Sequence, residues 1–222
     1  MDVGAFDLDE VHGVAFVEAC THGRLETARW LAELDDPNPV TIGQSFKWAC
    51  VRGHLATVKW LAERGLDPDT FSVSAVFQGT CESGHLDTAK WLADWFGPMS
   101  PDTNGKALLG TCVYRHWDVV RWLLAADVDV KADLVRYGWA FYNTCKAGHL
   151  DLAKRLFDLG PELDPYNKNS SFRAACELGH LDTVQWLVNV VGADIHLGGD
   201  KVFRSEHEGV VRWLRGCAAA KP

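Results

Sequence analysis

Cysteine and histidine recur together along this chain, four residues apart. Both are common zinc ligands, so each pair could supply half of a tetrahedral site. A turn falls between the two members of each pair, so they do not share one helix, and the remaining ligands would come from a neighbouring unit about 10 Å away. We expect each cysteine to pack in the core and each histidine to bond backbone groups of the adjacent turn. The pairs are Cys50 and His54, Cys81 and His85, Cys112 and His116, Cys145 and His149, and Cys176 and His180.

Catalytic motifs do not emerge from the sequence. It contains no glycine-rich phosphate loop, no G-x-S-x-G elbow and no H-E-x-x-H, and the pair His207-Glu208 lacks a second histidine. A thiol buried among apolar groups has a raised pKa and is unreactive. We therefore predict a protein that is not an enzyme and has no catalytic residue, no metal and no cofactor.

The charge balance bears on the partners. The 222 residues carry 22 basic and 30 acidic side chains, a formal net charge of -8, which disfavours nucleic acid or an anionic membrane as the main partner. The first ten residues do not resemble a signal peptide, and no apolar run approaches the ~18 residues of a spanning helix. With the cysteines interpreted as reduced, buried thiols, we expect an intracellular, cytoplasmic protein.

The cysteines mark a repeat. Six of the seven lie at intervals of 30, 31, 31, 33 and 31 residues, and a period of about 20 to 50 residues indicates a repeat architecture. An aromatic residue or leucine lies one helical turn before each cysteine, and tryptophan-leucine or its equivalent follows ten residues after it. The six units cover residues 16–31, 46–61, 77–92, 108–123, 141–156 and 172–187.

Each unit is predicted to form two antiparallel helices. Phe46 and Cys50 share one face of the first helix, Gly53 ends that helix, and the second helix buries a stripe that includes Val58 and Leu61. In the fourth unit Arg115 replaces the turn glycine, which costs on the order of 1 kcal/mol if this residue has a positive φ. We therefore predict local strain or a reshaped turn at Arg115.

Helix, glycine turn, Gly-His-Leu, helix and polar loop at this period resemble the ankyrin-repeat family. The resemblance covers residues 14–215, and its most specific segments are 49–55, 81–87, 145–151 and 176–182, with Gly192-Ala193-Asp194-Ile195 after the sixth unit. The Thr-Pro-Leu-His that opens the first ankyrin helix is absent, so irregular loops are expected in place of hairpins. The A-C-x-x-G-H-L phrase is similar to divergent arrays in large DNA viruses of protists and in protists.

The predicted fold is an all-α, ankyrin-type helical repeat solenoid of six repeats plus a shortened C-terminal cap. We expect one domain over 1–222, with an N-terminal capping repeat at 3–41, internal repeats at 42–197, a C-terminal cap at 198–217 and a frayed tail at 218–222. A monomer is expected. A self-assembling scaffold, in which an imperfect cap pairs with another copy, is one alternative.

The ten tryptophans fall into two groups. One group shares the repeat position and is expected in the core or at its rim: Trp30, Trp60, Trp91, Trp122, Trp186 and Trp213. The other four do not share it and are either packed against loops or binding anchors: Trp48, Trp95, Trp117 and Trp139. In the fifth unit Arg155 replaces the shared tryptophan, and Trp139 and Phe157 are candidates to fill the gap.

The resemblance implies a non-catalytic module that binds an unidentified partner protein through a concave face. That face comprises the positions two before, one after and two after each cysteine, which differ between units while the cysteine, glycine and leucine positions stay nearly fixed. The predicted contacts are Glu18 and His22; Trp48, Val51 and Arg52; Glu82 and Ser83; Val113 and Tyr114; Asn143 and Lys146; and Glu177 and Leu178. A metal- or small-ligand-binding module that uses the cysteine-histidine ladder remains the other alternative.

Overall fold

The computed structural model describes residues 8–125, 134–159, 163–198 and 206–219. Within these ranges the regular structure is helical throughout, with thirteen α-helices and no strand. The predicted all-α repeat class is therefore confirmed. In place of hairpins, the described connections are short loops and two 3-10 turns, at Pro68–Thr70 and Ile195–Gly198.

The chain comprises two compact units, residues 1–103 and 104–222. In the first, each repeat contributes a first helix and a second helix. First helices are α1 (Leu8–Thr21), α3 (Pro39–Val51) and α5 (Val73–Glu82), and second helices are α2 (Leu25–Leu34), α4 (Leu55–Glu63) and α6 (Leu86–Phe96). Within this unit, α1 packs against α3 and α3 against α5, so first helices form one layer.

The second unit repeats this plan. Its first helices are α7 (Pro101–Tyr114), whose first three residues belong to the first unit, α9 (Leu134–Lys146) and α11 (Pro165–Glu177). Its second helices are α8 (Trp117–Ala125), α10 (Leu150–Leu159) and α12 (Leu181–Trp186), and α12 continues as a π-helix over Leu187–Val191. The last helix is α13 (Glu208–Ala219), and α9 packs against α11.

The predicted division into one domain with two caps stays a prediction. Part of the predicted C-terminal cap, residues 199–205, lies outside the described residues. The predicted tail begins within α13, which extends to Ala219, and residues 220–222 again lie outside the described part of the chain.

The recurring positions form the core. Phe46, Phe77, Phe141 and Phe172 are at most 1% exposed, as are the six repeat cysteines. The cysteines are all free thiols. Burial of these small and aromatic side chains removes apolar surface from water and joins each first helix to its neighbours.

In five of the six repeats the turn between the two helices has the same two hydrogen bonds, and in the fourth the described residues show only the bond from the His116 N–H to the Thr111 carbonyl. In the second repeat, the N–H of Gly53 donates to the Cys50 carbonyl at 3.0 Å, and the N–H of His54 donates to the Ala49 carbonyl at 2.9 Å. These two bonds satisfy carbonyls at the helix end and require a left-handed residue, and Gly53 has φ +76°. Arg115 adopts the same left-handed conformation at φ +67°, which is the condition under which the sequence predicts local strain at this turn.

The shared tryptophans are rim residues with one exception. The rings of Trp60, Trp91 and Trp186 lie 6.0, 6.4 and 6.0 Å from the phenylalanine that begins the preceding repeat, Phe16, Phe46 and Phe141 respectively. Trp30 is 58% exposed, so its predicted place in the core or its rim is wrong. The physical reason is that the partner of each tryptophan belongs to the preceding repeat, and the described residues contain no such aromatic residue before Phe16.

Candidate partner-binding surface

The predicted contact residues lie near the carboxyl ends of the first helices or in the caps that follow them, and none is buried. Nine are exposed: Glu18, His22, Trp48, Arg52, Val113, Tyr114, Lys146, Glu177 and Leu178. Four are half-buried: Val51, Glu82, Ser83 and Asn143. We call the surface that they share within each compact unit the first-helix face.

In the first unit, the first-helix face combines an aromatic ring with charges. Trp48 is 42% exposed, and the Nζ of Lys47 lies 5.2 Å from its ring centroid. Arg52 caps α3 and makes no ion pair among the described residues. Trp48 and Arg52 are thus available to a partner, and both residue types are common anchors of protein interfaces.

Elsewhere on this face the polar groups bond to each other. The Nδ1 of His22 lies 2.9 Å from the Glu18 carbonyl oxygen and 3.3 Å from the Glu18 carboxylate. The amide of Gln78 donates to the Glu82 carboxylate at 2.7 Å. These side chains are therefore held in place by local bonds and offer polar contacts at the margin of the face.

In the second unit, the first-helix face contains a groove of about 250 Å³ between α9 and α11. We call it the aromatic groove, and it is lined by Trp139, Tyr142, Tyr166, Asn167, Ser170, Arg173, Ala174 and Glu177. Trp139 is 51% exposed and Tyr166 is 71% exposed. The rings of Trp139 and Tyr142 lie 5.8 Å apart at 81°, so they form two walls at nearly a right angle.

Local hydrogen bonds and one glycine fix the floor of this groove. Asp164 caps α11 by accepting from the backbone N–H of Asn167 at 2.7 Å, and its second oxygen accepts from the Asn167 side-chain amide at 2.9 Å. A Cβ on Gly138 would overlap the Asn167 amide, so glycine is what lets α9 approach α11 here. Asn143 donates its amide to the Trp139 carbonyl at 2.8 Å.

Among the residues that line this groove, the sequence identified Glu177 as a contact and Trp139 as a possible binding anchor, whereas Tyr142, Tyr166 and Arg173 were not predicted. The missing signal was the helical period. The predicted positions lie two before and one after each cysteine, and positions one turn earlier, six and three before it, share the same helix face. Trp139, Tyr142 and Arg173 occupy these positions. Tyr166 lies a further turn earlier.

Trp139 does not fill the space at Arg155, so that suggestion is wrong. It lies in the aromatic groove because α9 turns its side chain to the exposed face. Phe157 packs edge-on against Trp186 at 5.5 Å, and Arg155 donates to the Leu124 carbonyl at 3.4 Å. Among the other unshared tryptophans, Trp95 is 53% exposed and stacks on Trp91 at 5.1 Å.

The cysteine and the histidine of a pair lie in different environments. Burial raises the pKa of the Cys20 thiol to about 12 and raises that of Cys50 still further. The Nε2 of His180 instead lies 3.1 Å from the Lys146 carbonyl, in the turn of the preceding repeat, as predicted for these histidines. In the part of the chain that the structure describes, no group of three or more His, Cys, Asp or Glu residues is placed to hold a metal ion.

Three comparisons bear on the fold. Residues 46–133 match the family model described as ankyrin repeats in three copies. The crystal structure of the human ASB11 ankyrin repeat domain is similar with a TM-score of 0.59 and 21% sequence identity, over 90% of this chain and 96% of that chain. A comparison with curated proteins found no match. These findings confirm the ankyrin resemblance and leave its viral or protist type a prediction.

Ankyrin repeats are generally protein–protein interaction modules, and domains of this fold are typically non-catalytic.

Among the helices in the described ranges, none has the length and apolar character needed to cross a membrane.

Proposed function

We propose that this chain, an ankyrin-repeat protein, is a non-catalytic module that binds a partner protein through the first-helix face of each compact unit. The thirteen predicted contact residues belong to this face. The proposal adds Trp139, Tyr142, Tyr166 and Arg173, which occupy the same helix faces one or two turns earlier.

The observation that carries the proposal is the distribution of exposed apolar side chains. Of the thirteen large hydrophobic residues that are exposed in the described ranges, nine lie on first helices or in the cap of α11. The recurring phenylalanines and cysteines of the same helices are buried. Exposed apolar and aromatic groups on one face, in positions that vary between repeats, are typical of a binding surface because stacking of the repeats does not require them.

The physical advantage of such a surface is pre-organisation. The anchors project from packed helices whose opposite side is core, so binding immobilises side chains and does not fold a segment. Association then loses less conformational entropy than a disordered segment would lose. Trp48, Tyr114 and Trp139 are aromatic anchors with few rotatable bonds, which reduces that loss further.

The metal-binding alternative is less well supported. The thiols are buried in the core and hold their protons, whereas a zinc ligand is a thiolate. His180 directs Nε2 to the carbonyl of a neighbouring turn. Six buried free thiols also favour a reducing, intracellular compartment, as expected from the sequence.

The test compares matched variants in the first compact unit. The double variant Trp48→Ala with Arg52→Glu removes an anchor and reverses a charge on the first-helix face. The control, Trp95→Ala with Lys59→Glu, makes the same changes on exposed second-helix positions. Partners are captured from the source cells, identified and purified, and their affinities for the wild-type chain and the two variants are measured by calorimetry.

We expect the first double variant to weaken binding by about thirtyfold or more, as loss of interface anchors does, and the control to change it less than about threefold. Both should keep the circular dichroism of the wild type. Equal affinity of both variants for every purified partner would refute the proposal. Stoichiometric zinc in native mass spectrometry would favour the metal alternative, and concentration-dependent light scattering would favour self-assembly.

A further inference from the structure

We infer that the aromatic groove of the second unit binds an acidic peptide segment that carries an aliphatic side chain. The inference rests on the proposed function, because it specifies the partner chemistry of one part of the first-helix face. Three features of the groove support it: its aromatic walls, the charge at its margin and the rigidity of its floor.

The walls provide an apolar contact surface. Trp139, Tyr142 and Tyr166 line the groove, and Trp139 and Tyr166 are more than half exposed. The nearly perpendicular rings of Trp139 and Tyr142 leave a corner rather than a flat patch. An aliphatic side chain placed in such a corner contacts two ring faces or edges at once and loses most of its exposure to water.

The charge at the margin favours carboxylates. Arg173 lines the groove and makes no ion pair within the described residues, and Lys146 lies beside Tyr142 with its Nζ 5.7 Å from the ring centroid. Of the nearby acidic groups, Glu177 lines the groove, and Asp164 is engaged by two bonds to Asn167. The groove lining therefore contains one cation and one carboxylate, Arg173 and Glu177, and Lys146 adds a second cation beside the Tyr142 wall.

The same charges disfavour a cationic occupant. Aromatic walls also attract ammonium groups, so a basic segment is the obvious competitor. Lys146 already places its own ammonium over Tyr142, and the guanidinium of Arg173 lies in the same groove. A further cation there would be repelled by these two groups, whereas a carboxylate could accept two parallel hydrogen bonds from Arg173.

The floor is rigid enough to select one geometry. Asp164 fixes Asn167, Asn167 contacts Gly138, and Asn143 fixes the backbone at Trp139. The aromatic walls are thus mounted on two helices whose spacing is set by direct contact. Rigid walls favour a side chain of complementary shape, and less conformational entropy is lost on binding.

The experiment uses the full chain and a displayed library of random nine-residue peptides. Peptides are selected on the wild type and counter-selected on a Trp139→Ala, Arg173→Glu double variant, so that only groove-dependent sequences remain. The selected peptides are synthesised, and their affinities are measured by fluorescence anisotropy. The control variant is Lys154→Glu, which reverses an exposed charge on the second helix α10.

We expect the surviving peptides to contain at least two acidic residues and one leucine, isoleucine or valine. Trp139→Ala and Arg173→Glu should each weaken their binding by about tenfold or more, Arg173→Lys by less, and Lys154→Glu by less than about twofold. Binding should weaken as salt rises, since the carboxylate contacts are exposed.

Enrichment of basic peptides, or survival of no peptide at all, would overturn the inference. Its failure can be told apart from failure of the proposed function. If the groove selects no acidic peptide while captured partners still depend on Trp48 and Arg52, only the inference fails. If captured partners are insensitive to changes in both units, the proposed function fails.

Discussion

The imidazole of His180 lies directly against Gly148, the turn glycine of the preceding repeat. A Cβ on Gly148 would lie 2.6 Å from its Nδ1, closer than real Cβ contacts allow. The same relationship links Gly23 to His54 and Gly179 to His207, with Nδ1 2.5 Å from the Cβ position in each. In the Gly-His-Leu phrases of His54, His85 and His180, the histidine thus contacts the turn glycine of the repeat before it. The repeat before His149 has Arg115 at that position. This contact between repeats explains why glycine and histidine recur together.

Replacing this glycine should therefore damage both the turn and the contact between repeats. Gly148 has φ +76°, and an alanine there would have to displace the His180 ring and its 3.1 Å bond to the Lys146 carbonyl. We expect Gly148→Ala to lower the free energy of unfolding by about 2 kcal/mol or more. The measurement is urea denaturation followed by circular dichroism.

The control for this prediction is Gly216→Ala. Gly216 is exposed in α13, and its Cβ would meet no atom within 4 Å. Alanine is the better helix former, so this variant should gain about 0.5–1 kcal/mol. A neutral Gly148→Ala would contradict the proposed packing of His180.

Arg115 gives the converse prediction, because it holds a glycine-type conformation without glycine. At φ +67° a residue with a side chain lowers the stability of the fold by about 1–2 kcal/mol. A glycine instead lowers it by about 0.4–1 kcal/mol, because it increases the conformational entropy of the unfolded chain. Arg115→Gly should therefore stabilise the fold by about 0.5–1 kcal/mol. Arg115→Ala, which keeps the strain and removes the charge, should give no such gain in the same urea titration.

The sequence was enough to predict the repeat register, the paired helices and the turn conformation, because these depend on local spacing. Phe46, Cys50 and Gly53 are each explained by positions within one repeat. The predicted position of Trp30 was wrong because its exposure depends on a tertiary contact with an aromatic residue of a preceding repeat. The aromatic groove was only partly predicted, since it depends on how closely Gly138 lets α11 approach, and this distance is set by tertiary packing.

The buried thiols should make stability fall at alkaline pH. Burial raises the pKa values of all six repeat cysteines, to about 12 for Cys20, Cys112 and Cys176. Their stabilisation is complete below the unfolded pKa of about 9 and is lost as pH rises through the folded values, at about 1.4 kcal/mol per pH unit for each thiol. Urea midpoints should therefore drop between about pH 9 and 12.

Cys50→Ala serves as the check, because it removes one of the raised groups. Its midpoint should fall less steeply with pH than that of the wild type, whatever its stability at pH 7. With a thiol reagent at pH 8, the half-buried Cys217 should react first and the six repeat cysteines only after unfolding. Rapid reaction of all seven thiols in the folded protein would contradict the predicted burial.

His149 should titrate below its ordinary pKa of 6.5 and should respond to a change at Trp117. The two rings lie 4.4 Å apart, and burial is the largest cause that lowers the pKa of His149, followed by the charge of Arg121. Asp151 opposes the shift, and His180 adds to it. Because the folded state favours the neutral ring, this contribution to stability is present above pH 6.5 and is lost as pH falls through the folded pKa.

Trp117→Leu, which restores the leucine found in the other five repeats, should raise the pKa of His149 measured by NMR titration. The increase should be larger than that caused by Arg121→Gln. Trp95→Leu, in the other compact unit, should leave it unchanged, and a larger effect of Arg121→Gln would show that charge, not burial, sets the pKa of His149.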